Sequence, residues 1–215
     1  MEPVTVTIYS DYLCPWCYVA SARLYRVQRE MGPERVRIDA KAYMLRPEDE
    51  PNRRPGPTGS QGRIRAGTMG RADSLKFSAW PEDKTLPVSS IAALAAASAA
   101  KLQGEEAFSR YDLALFRAYF ERCLDISDRE VLLQVAVEEG LDRDHLAREI
   151  DSGTHREAVF AEFAECLDLY GPYVSGVPSV IFNGTRSVVG AVPFVVYKTA
   201  VQQDLRGPIT LGSST

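Results

Sequence analysis

Hydrophobic and polar residues alternate near the start of the chain, and the period then changes to that of a helix. From Val4 to Ile8, β-branched apolar residues alternate with threonines, which is the period-two pattern of a half-buried strand. From Val19 to Val27, apolar residues recur close to helical spacing, and Gly32-Pro33 is a normal helix stop. The pattern therefore predicts a strand, a short turn and a first helix.

A second alternating segment, Val36 to Tyr43, predicts another strand, and a strand-helix-strand order usually gives a parallel pair. From Arg46 to about Ala72 the composition shifts to proline, glycine and arginine. This composition predicts a long loop, and long loops in compact domains tend to be functional or mobile.

The middle of the chain, from about Val88 to Leu169, has helical periodicity with clear breaks. The predicted helices are Ser89 to Gln103, Glu105 to Arg122, a helix from the capping box Ser127-Asp128-Arg129-Glu130 to Gly140, Arg143 to Ile150, and a helix from the capping box Thr154-His155-Arg156-Glu157 toward Tyr170-Gly171. We expect these helices to form a bundle.

The last part returns to strand character. Ser179 to Phe182 and Ser187 to Val189 flank Asn183-Gly184, a strong hairpin signal. Pro193 then opens a terminal helix, Phe194 to Leu205. The predicted order is β-α-β, a helical block, and β-β-α.

Two cysteines, Cys14 and Cys17, lie where the first strand gives way to the first helix. Pro15 suits the first helical position, which puts Cys14 at or next to the N-cap. A helix N-terminus favours the thiolate and lowers a thiol pKa from about 8.5 to roughly 3.5–7.5. Cys17 follows one helical turn later, so the pair is suited to closing and opening a disulfide.

Zinc binding and unreactive buried thiols are the alternatives for this motif. A structural zinc site needs four ligands, but Cys123 and Cys166 are isolated. We expect these two cysteines on separate helices as structural thiols, with a second redox or regulatory pair as the alternative if their Cα atoms lie within about 7 Å. His145 and His155 are expected on charged, solvated helical surfaces. A redox dithiol without a metal is the favoured interpretation.

Composition and charge limit the class of protein, the partners and the compartment to expect. Of the 215 residues, 45% are hydrophobic and 25% are charged, as in an ordinary globular protein. The net charge of −4 gives no basic footprint, so we expect no nucleic-acid partner. No secretory signal or membrane-spanning run is recognisable, which predicts a cytoplasmic protein without membrane association. In that compartment a CxxC pair is more plausibly catalytic than structural.

The chain resembles the DsbA-like thioredoxin-fold oxidoreductases, specifically their FrnE-like branch. The resemblance covers nearly the whole chain and is carried by Asp11 to Tyr18, Leu115 to Phe120, Val174 to Ser179, and Gly190 to Pro193. It implies an α/β protein with a thioredoxin-like fold and a helical insertion domain. The expected division is 1–45 for the first part of the thioredoxin-like domain, 46–170 for the loop and helical insertion, and 171–215 for the second part.

The resemblance also assigns roles. It implies catalysis by Cys14 and Cys17, which form the redox-active disulfide, and a cis peptide bond before Pro178 that faces them. Such a turn would expose the backbone of Val177 to an extended substrate. The residues expected to bind substrate are Pro15, Trp16, Tyr12 and Val177. No bound cofactor is expected. The expected partners are protein or small-molecule disulfides and thiols, with glutathione as a co-substrate and thioredoxin as a further candidate partner.

The same broad family includes 2-hydroxychromene-2-carboxylate isomerase and kappa-class glutathione transferases, in which serine typically replaces the first cysteine. Glutathione-dependent isomerisation or transfer is therefore the alternative function, although Cys14 favours disulfide exchange. Thioredoxins also have a buried carboxylate on the preceding strand, which is missing here. Asp11 is expected to hydrogen bond locally, with proton exchange with Cys17 through water as the other option. The segment Arg53 to Arg71 is expected to be a solvated loop, with closure over the groove or carboxylate binding as alternatives.

Overall fold

A four-stranded sheet is built from the first and last parts of the chain. The computed structural model describes residues 2–49, 51, 52, 54, 57–170 and 176–206. The strands are β1 (Val4–Ser10), β2 (Val36–Ala42), β3 (Ser179–Phe182) and β4 (Arg186–Val189), in the order β2-β1-β3-β4. The β1–β2 pair is parallel, and the β1–β3 and β3–β4 pairs are antiparallel. The predicted strands, the parallel pair and the Asn183-Gly184 hairpin are confirmed.

Two helices cover one face of this sheet. They are α1 (Pro15–Met31) and α8 (Phe194–Arg206), both close to their predicted bounds. Alternate residues of β1, such as Val6 and Ile8, pack with Leu24 of α1 and Val201 of α8 in a core that water does not reach. Burial of alternate β1 residues explains the period-two pattern of that strand.

A helical block lies between β2 and β3 in the sequence, as predicted. The helices with predicted counterparts are α3 (Ile91–Ala100), α4 (Glu105–Phe120), α5 (Arg129–Glu138), α6 (Arg143–Ser152) and α7 (Thr154–Tyr170), and a 3₁₀ turn, Lys101–Gln103, extends α3. Their apolar faces form a second core that also contains Tyr12, Cys14, Cys17 and Tyr18. The dithiol therefore lies where the sheet part and the helical block meet.

The prediction of a loop from Arg46 to about Ala72 is wrong in its second half. Residues Pro57–Gly70 form a further helix, α2, followed by a 3₁₀ turn, Arg71–Asp73. Arg63 is buried, and one of its guanidinium nitrogens donates to the backbone oxygens of Ser78 (3.0 Å) and Phe120 (3.0 Å). Tertiary contacts thus stabilise a glycine-rich helix that propensity disfavours. Arg53 lies outside the described residues, and Arg63 is not the solvated residue expected.

Three smaller expectations also fail. The cap of α5 is Asp128, whose side chain accepts from the Glu130 N–H, so the predicted capping box begins one residue early. Cys123 lies beyond the end of α4 with a positive φ of 51°, and therefore does not lie on a helix. His155 is not solvated, because its ring nitrogens lie 3.0 Å from Ser98 Oγ and 3.1 Å from a Glu149 carboxylate oxygen.

Side chains of the helical block cover the outer edge of β2. Glu162 of α7 accepts a hydrogen bond from the backbone N–H of Ala42 at 2.7 Å, and Lys101 donates to the backbone oxygen of Ala40 at 2.6 Å. An uncovered edge strand is open to pairing with another chain. These two side chains occupy that edge and tie the block to the sheet. Among the helices that the structure describes, none is both long enough and apolar enough to cross a membrane.

Candidate active site

The turn between β1 and α1 presents the first cysteine. The Cys14 N–H donates to the Asp11 backbone oxygen at 2.9 Å, which closes the turn. Cys14 is the N-cap of α1, with an extended backbone and no side-chain cap, and Pro15 begins the helix. The sulfur thus lies beside the free amides and positive end of α1, as the sequence predicts.

Cys14 and Cys17 are both free thiols, so the structure represents the dithiol state. The hydrogen bond from the Cys17 thiol lowers the pKa of Cys14, and the backbone N–H groups of Cys17 and Trp16 act in the same direction against the opposing effect of burial. Burial raises the pKa of Cys17 well above its usual value, since that side chain is inaccessible to solvent. The surroundings of the two thiols thus shift their pKa values in opposite directions, down for Cys14 and up for Cys17.

The loop before β3 lies against Cys14. The Val177–Pro178 peptide bond is cis, as the family resemblance implies, and the Cys14 thiol donates to the Val177 backbone oxygen at 3.5 Å. The Pro178 backbone oxygen accepts from the Gly190 N–H at 2.7 Å, so two of the family motifs meet here. The motif residues Val174 and Ser175 lie outside the described part of the chain.

The expected substrate-binding residues differ in their exposure. Pro15, Trp16 and Val177 are half-buried near Cys14. Tyr12 is buried beneath the helical block, with its ring centroid 4.7 Å from that of Phe116. A substrate could therefore touch the first three directly, whereas contact with Tyr12 would need the helices to move. Their roles in substrate binding stay predictions.

Two consecutive turn residues bind the helical block. The Asp11 carboxylate is fully buried and accepts hydrogen bonds from Leu13 N–H at 2.7 Å, Leu45 N–H at 2.8 Å and Ser90 Oγ at 2.8 Å. The bond to Leu13 is the local turn bond that the sequence predicts for Asp11, whereas the other two reach distant parts of the chain.

The next residue, Tyr12, donates its hydroxyl to Asp112 of α4 at 2.6 Å. Burial raises the pKa of the Asp112 carboxyl above its usual range, against the lowering effect of the hydrogen bond from Tyr12. Sequence reasoning missed Asp112 and Ser90. The only available signal for Asp112 was a carboxylate on the apolar face of a predicted helix.

Helix α2 forms a wall beside Pro15. A Cβ placed on Gly62 would lie 3.8 Å from Pro15 Cγ, an ordinary van der Waals distance, so the helix passes next to the proline ring that follows Cys14. The other sequence candidates lie apart from this site. Cys123 donates to the Ala79 backbone oxygen at 3.5 Å, and Cys166 packs in a small core with Tyr9. No group of three potential metal ligands occurs among the residues described.

Comparison with known proteins agrees with this geometry. A family model described as the DsbA-like thioredoxin domain matches residues 5–202. The chain belongs to this family. No curated protein matches the sequence. The fold class predicted from the sequence, an α/β thioredoxin-like fold with inserted helices, is confirmed.

Solved structures share the fold over almost the whole chain. A probable DsbA oxidoreductase from Streptomyces coelicolor is 23% identical with a TM-score of 0.77, and the match covers 97% of this chain and 92% of that one. A cytosolic disulfide reductase, DsbM, from Pseudomonas aeruginosa is 19% identical with a TM-score of 0.68, covering 94% and 98%. A 2-hydroxychromene-2-carboxylate isomerase is 15% identical with a TM-score of 0.67, covering 94% and 96%. At such identities the likeness concerns the fold alone.

Proposed function

We propose that this protein is a thiol-disulfide oxidoreductase that uses Cys14 as nucleophile and Cys17 as resolving thiol. The Cys14 thiolate attacks a substrate disulfide, forming a mixed disulfide and releasing one substrate thiolate. Cys17 then gives up its proton and attacks the Cys14 sulfur, which releases the second substrate thiolate. Two electrons pass from the dithiol to the substrate, and the two protons of the dithiol end on the released thiols.

The observation that carries this proposal is that two thiols one turn apart at a helix N-terminus have pKa values shifted in opposite directions. Cys14 has a lowered pKa and its thiol donates to the Val177 backbone oxygen, whereas Cys17 has a raised pKa and no exposed surface. A lowered pKa supplies the attacking thiolate. A buried neighbour that stays protonated leaves the mixed disulfide time to form before it is resolved. Two unreactive core thiols would not need this asymmetry.

The substrate class follows from the groups next to Cys14. The Val177 backbone oxygen accepts from the Cys14 thiol, and the half-buried Pro15 and Trp16 follow Cys14 in the sequence. This suits an extended peptide that contains a disulfide or a small disulfide such as oxidised glutathione. Glutathione or thioredoxin would return the protein to the dithiol by the reverse exchange. A solved DsbM structure with glutathione supports the first choice, and the cytosolic description of DsbM supports action in the cytoplasm.

The proposal is tested with insulin reduction and with trapping of the mixed disulfide. Cys14→Ser should abolish insulin reduction in the presence of a thiol reductant, whereas Cys123→Ser should retain it, because Cys123 lies apart from the dithiol. Cys17→Ala should accumulate a stable mixed disulfide in a lysate, and mass spectrometry of the captured species names the substrate. Full activity of Cys14→Ser, or a Cys14 pKa near the ordinary 8.5, would contradict the proposal.

Glutathione-dependent isomerisation is the second candidate, and the shared fold with the isomerase favours it. Such an enzyme would bind glutathione and activate the thiol of that molecule, so it would not need Cys14. The Cys14→Ser variant separates the two functions. Loss of disulfide exchange supports the oxidoreductase, whereas retained glutathione-dependent isomerisation of an aromatic enone supports the alternative.

A further inference from the structure

Asp11 makes more contacts around the active-site turn than the local turn hydrogen bond alone. Its backbone oxygen accepts from the Cys14 N–H at 2.9 Å, and its carboxylate accepts from the N–H of Leu13, the residue before Cys14, at 2.7 Å. Its carboxylate is fully buried and receives hydrogen bonds from Leu45 N–H and Ser90 Oγ, both distant in the sequence. Hydrogen bonds to a carboxylate favour its charged form. A buried carboxylate whose hydrogen bonds favour its charged form therefore lies in the turn that carries Cys14.

This charge acts on both sulfurs in the same direction. The Asp11 carboxylate raises the pKa of Cys14 and also that of Cys17, against the helix amides and the hydrogen bond that lower the pKa of Cys14. The physical cause is repulsion between the carboxylate and a developing thiolate, which the low dielectric of a buried site strengthens. A thiolate exists only in the reduced protein, so this repulsion destabilises the reduced form relative to the disulfide.

We infer that Asp11 is a positioning residue that makes this protein a better electron donor, by holding a buried negative charge against the dithiol. The inference rests on the proposed exchange at Cys14 and Cys17, and it deepens that proposal by favouring the reductase direction. Strongly oxidising relatives of thioredoxin owe their potential to a stabilised reduced form. A buried carboxylate behind the cysteines has the opposite effect.

The relevant equilibrium is exchange with glutathione. Two glutathione molecules reduce the protein disulfide to the dithiol and become one oxidised glutathione, with two electrons and two protons passing to the protein. The equilibrium constant for this reduction, measured at a pH above the experimentally determined Cys14 pKa, should rise in Asp11→Asn. A drop of one unit in the Cys14 pKa corresponds to about a tenfold rise, and we expect between about threefold and tenfold. The same variant should show a lower Cys14 pKa by thiolate absorbance.

The sign of this expectation follows from the charge of Asp11. Replacing the charged carboxylate by an amide removes one negative charge from the turn that carries Cys14. Asp11→Ser provides a second uncharged variant that keeps a short acceptor for the Leu13 N–H. Asp125→Asn is the matched control, because Asp125 accepts from the Ser127 N–H in the same two-residue turn geometry but does not perturb either thiol. We expect the control to leave the constant unchanged within twofold.

A charge at position 45 tests the inference if both Asp11 variants fail to fold. The Leu45 side chain is 47% exposed, while its N–H binds the Asp11 carboxylate. Leu45→Arg should therefore raise the constant about twofold over Leu45→Gln. If wild-type protein neither forms the disulfide nor exchanges with glutathione, the proposed function fails. If wild type exchanges, but folded Asp11 variants leave the constant unchanged or lower it, or Leu45→Arg equals Leu45→Gln, the role of Asp11 is wrong.

Discussion

Arg63 gives the sharpest test of how α2 is held against the rest of the protein. Its guanidinium is buried and donates from one nitrogen to the backbone oxygens of Ser78, Tyr119 and Phe120, at 3.0, 3.4 and 3.0 Å. Tyr119 and Phe120 end α4, where the helix dipole favours a cation. The guanidinium carbon also lies 4.8 Å from the ring centroids of Tyr119 and Phe120. Arg63→Met would keep most of the apolar stem and remove all of these interactions.

The magnitude follows from these contacts. A hydrogen bond from a charged donor contributes about 1.5–3 kcal/mol, and a cation at a helix end up to about 2 kcal/mol. The Phe120 oxygen keeps a second donor, the Ser78 N–H at 2.8 Å, which limits the cost. We therefore expect Arg63→Met to lower the free energy of unfolding by about 3 kcal/mol. For a chain of this size the corresponding fall in Tm is about 6–12 °C.

Thermal and urea unfolding followed by circular dichroism measure this loss. Arg65→Met is the matched control, because Arg65 lies on the exposed face of the same helix and should change stability by less than about 0.5 kcal/mol. Arg63→Lys keeps the charge with fewer donors and should fall between wild type and Arg63→Met. A loss below about 1 kcal/mol for Arg63→Met, or equal losses at positions 63 and 65, would refute this account of α2.

Three further predictions concern the dithiol and the backbone. The rate of Cys14 alkylation by iodoacetamide should be half-maximal below about pH 8.5, since the Cys14 pKa is lowered. Peptide mapping should find Cys17 unmodified, and equal labelling of both cysteines would contradict their assignment as nucleophile and resolving thiol. Burial raises the pKa of the Asp112 carboxyl, so ionisation of this carboxyl destabilises the fold once the pH exceeds the ordinary pKa of an aspartate. Asp112→Asn should therefore be at least as stable as wild type at pH 7, and the difference in the free energy of unfolding should shrink toward about pH 4 in urea titrations. A large loss of stability in the variant at pH 7 would show instead that the charge of Asp112 is needed. Gly104→Ala should cost about 1–3 kcal/mol because its φ is +100°, whereas Gly59→Ala, with open space at its Cβ, should cost nothing; equal urea midpoints would argue against the strain.

The alternation of apolar and polar residues, together with glycines and prolines at helix ends, was sufficient to predict most of the strands and helices. The strand β1 reads directly from its alternating residues because its sides face different surroundings, and Gly104 and Gly140 separate helices in the sequence as they do in the structure. The position of Cys14 at a helix N-cap followed from Pro15 together with the change from strand to helix spacing around it. These features depend on neighbours in the sequence, which is why the sequence shows them.

The helix α2 could not be found in this way. Its buried face consists of Gly62, Arg63, Ala66, Gly67 and Gly70, which carries almost no apolar signal. Small residues are needed there because a Cβ on Gly70 would lie 3.1 Å from Leu75 Cβ. The pattern reads as a loop, and only contacts made after folding turn it into a helix. Composition alone therefore misjudges a helix that packs through its backbone.

The candidate site divides in the same manner between local and distant information. The CxxC motif and the cis bond before Pro178 were accessible through local sequence and family resemblance. Ser90 and Asp112 were not, because each meets the active-site turn across a large stretch of chain. Their residue types are ordinary for a helix start and a helix face. Only the fold shows that they are partners of the turn.

The inserted helices therefore hydrogen bond the turn that carries the dithiol, in addition to packing next to it. The strand β1 and the helix α1 fix where Cys14 lies, but the turn between them is held by Ser90 at the start of α3 and by Asp112 in α4. Without these partners, the buried Asp11 carboxylate and the Tyr12 hydroxyl would each lose a hydrogen bond in an apolar setting, which costs about 1–3 kcal/mol per group. A change that moves α3 or α4 should therefore alter the reactivity of Cys14 before it unfolds the sheet.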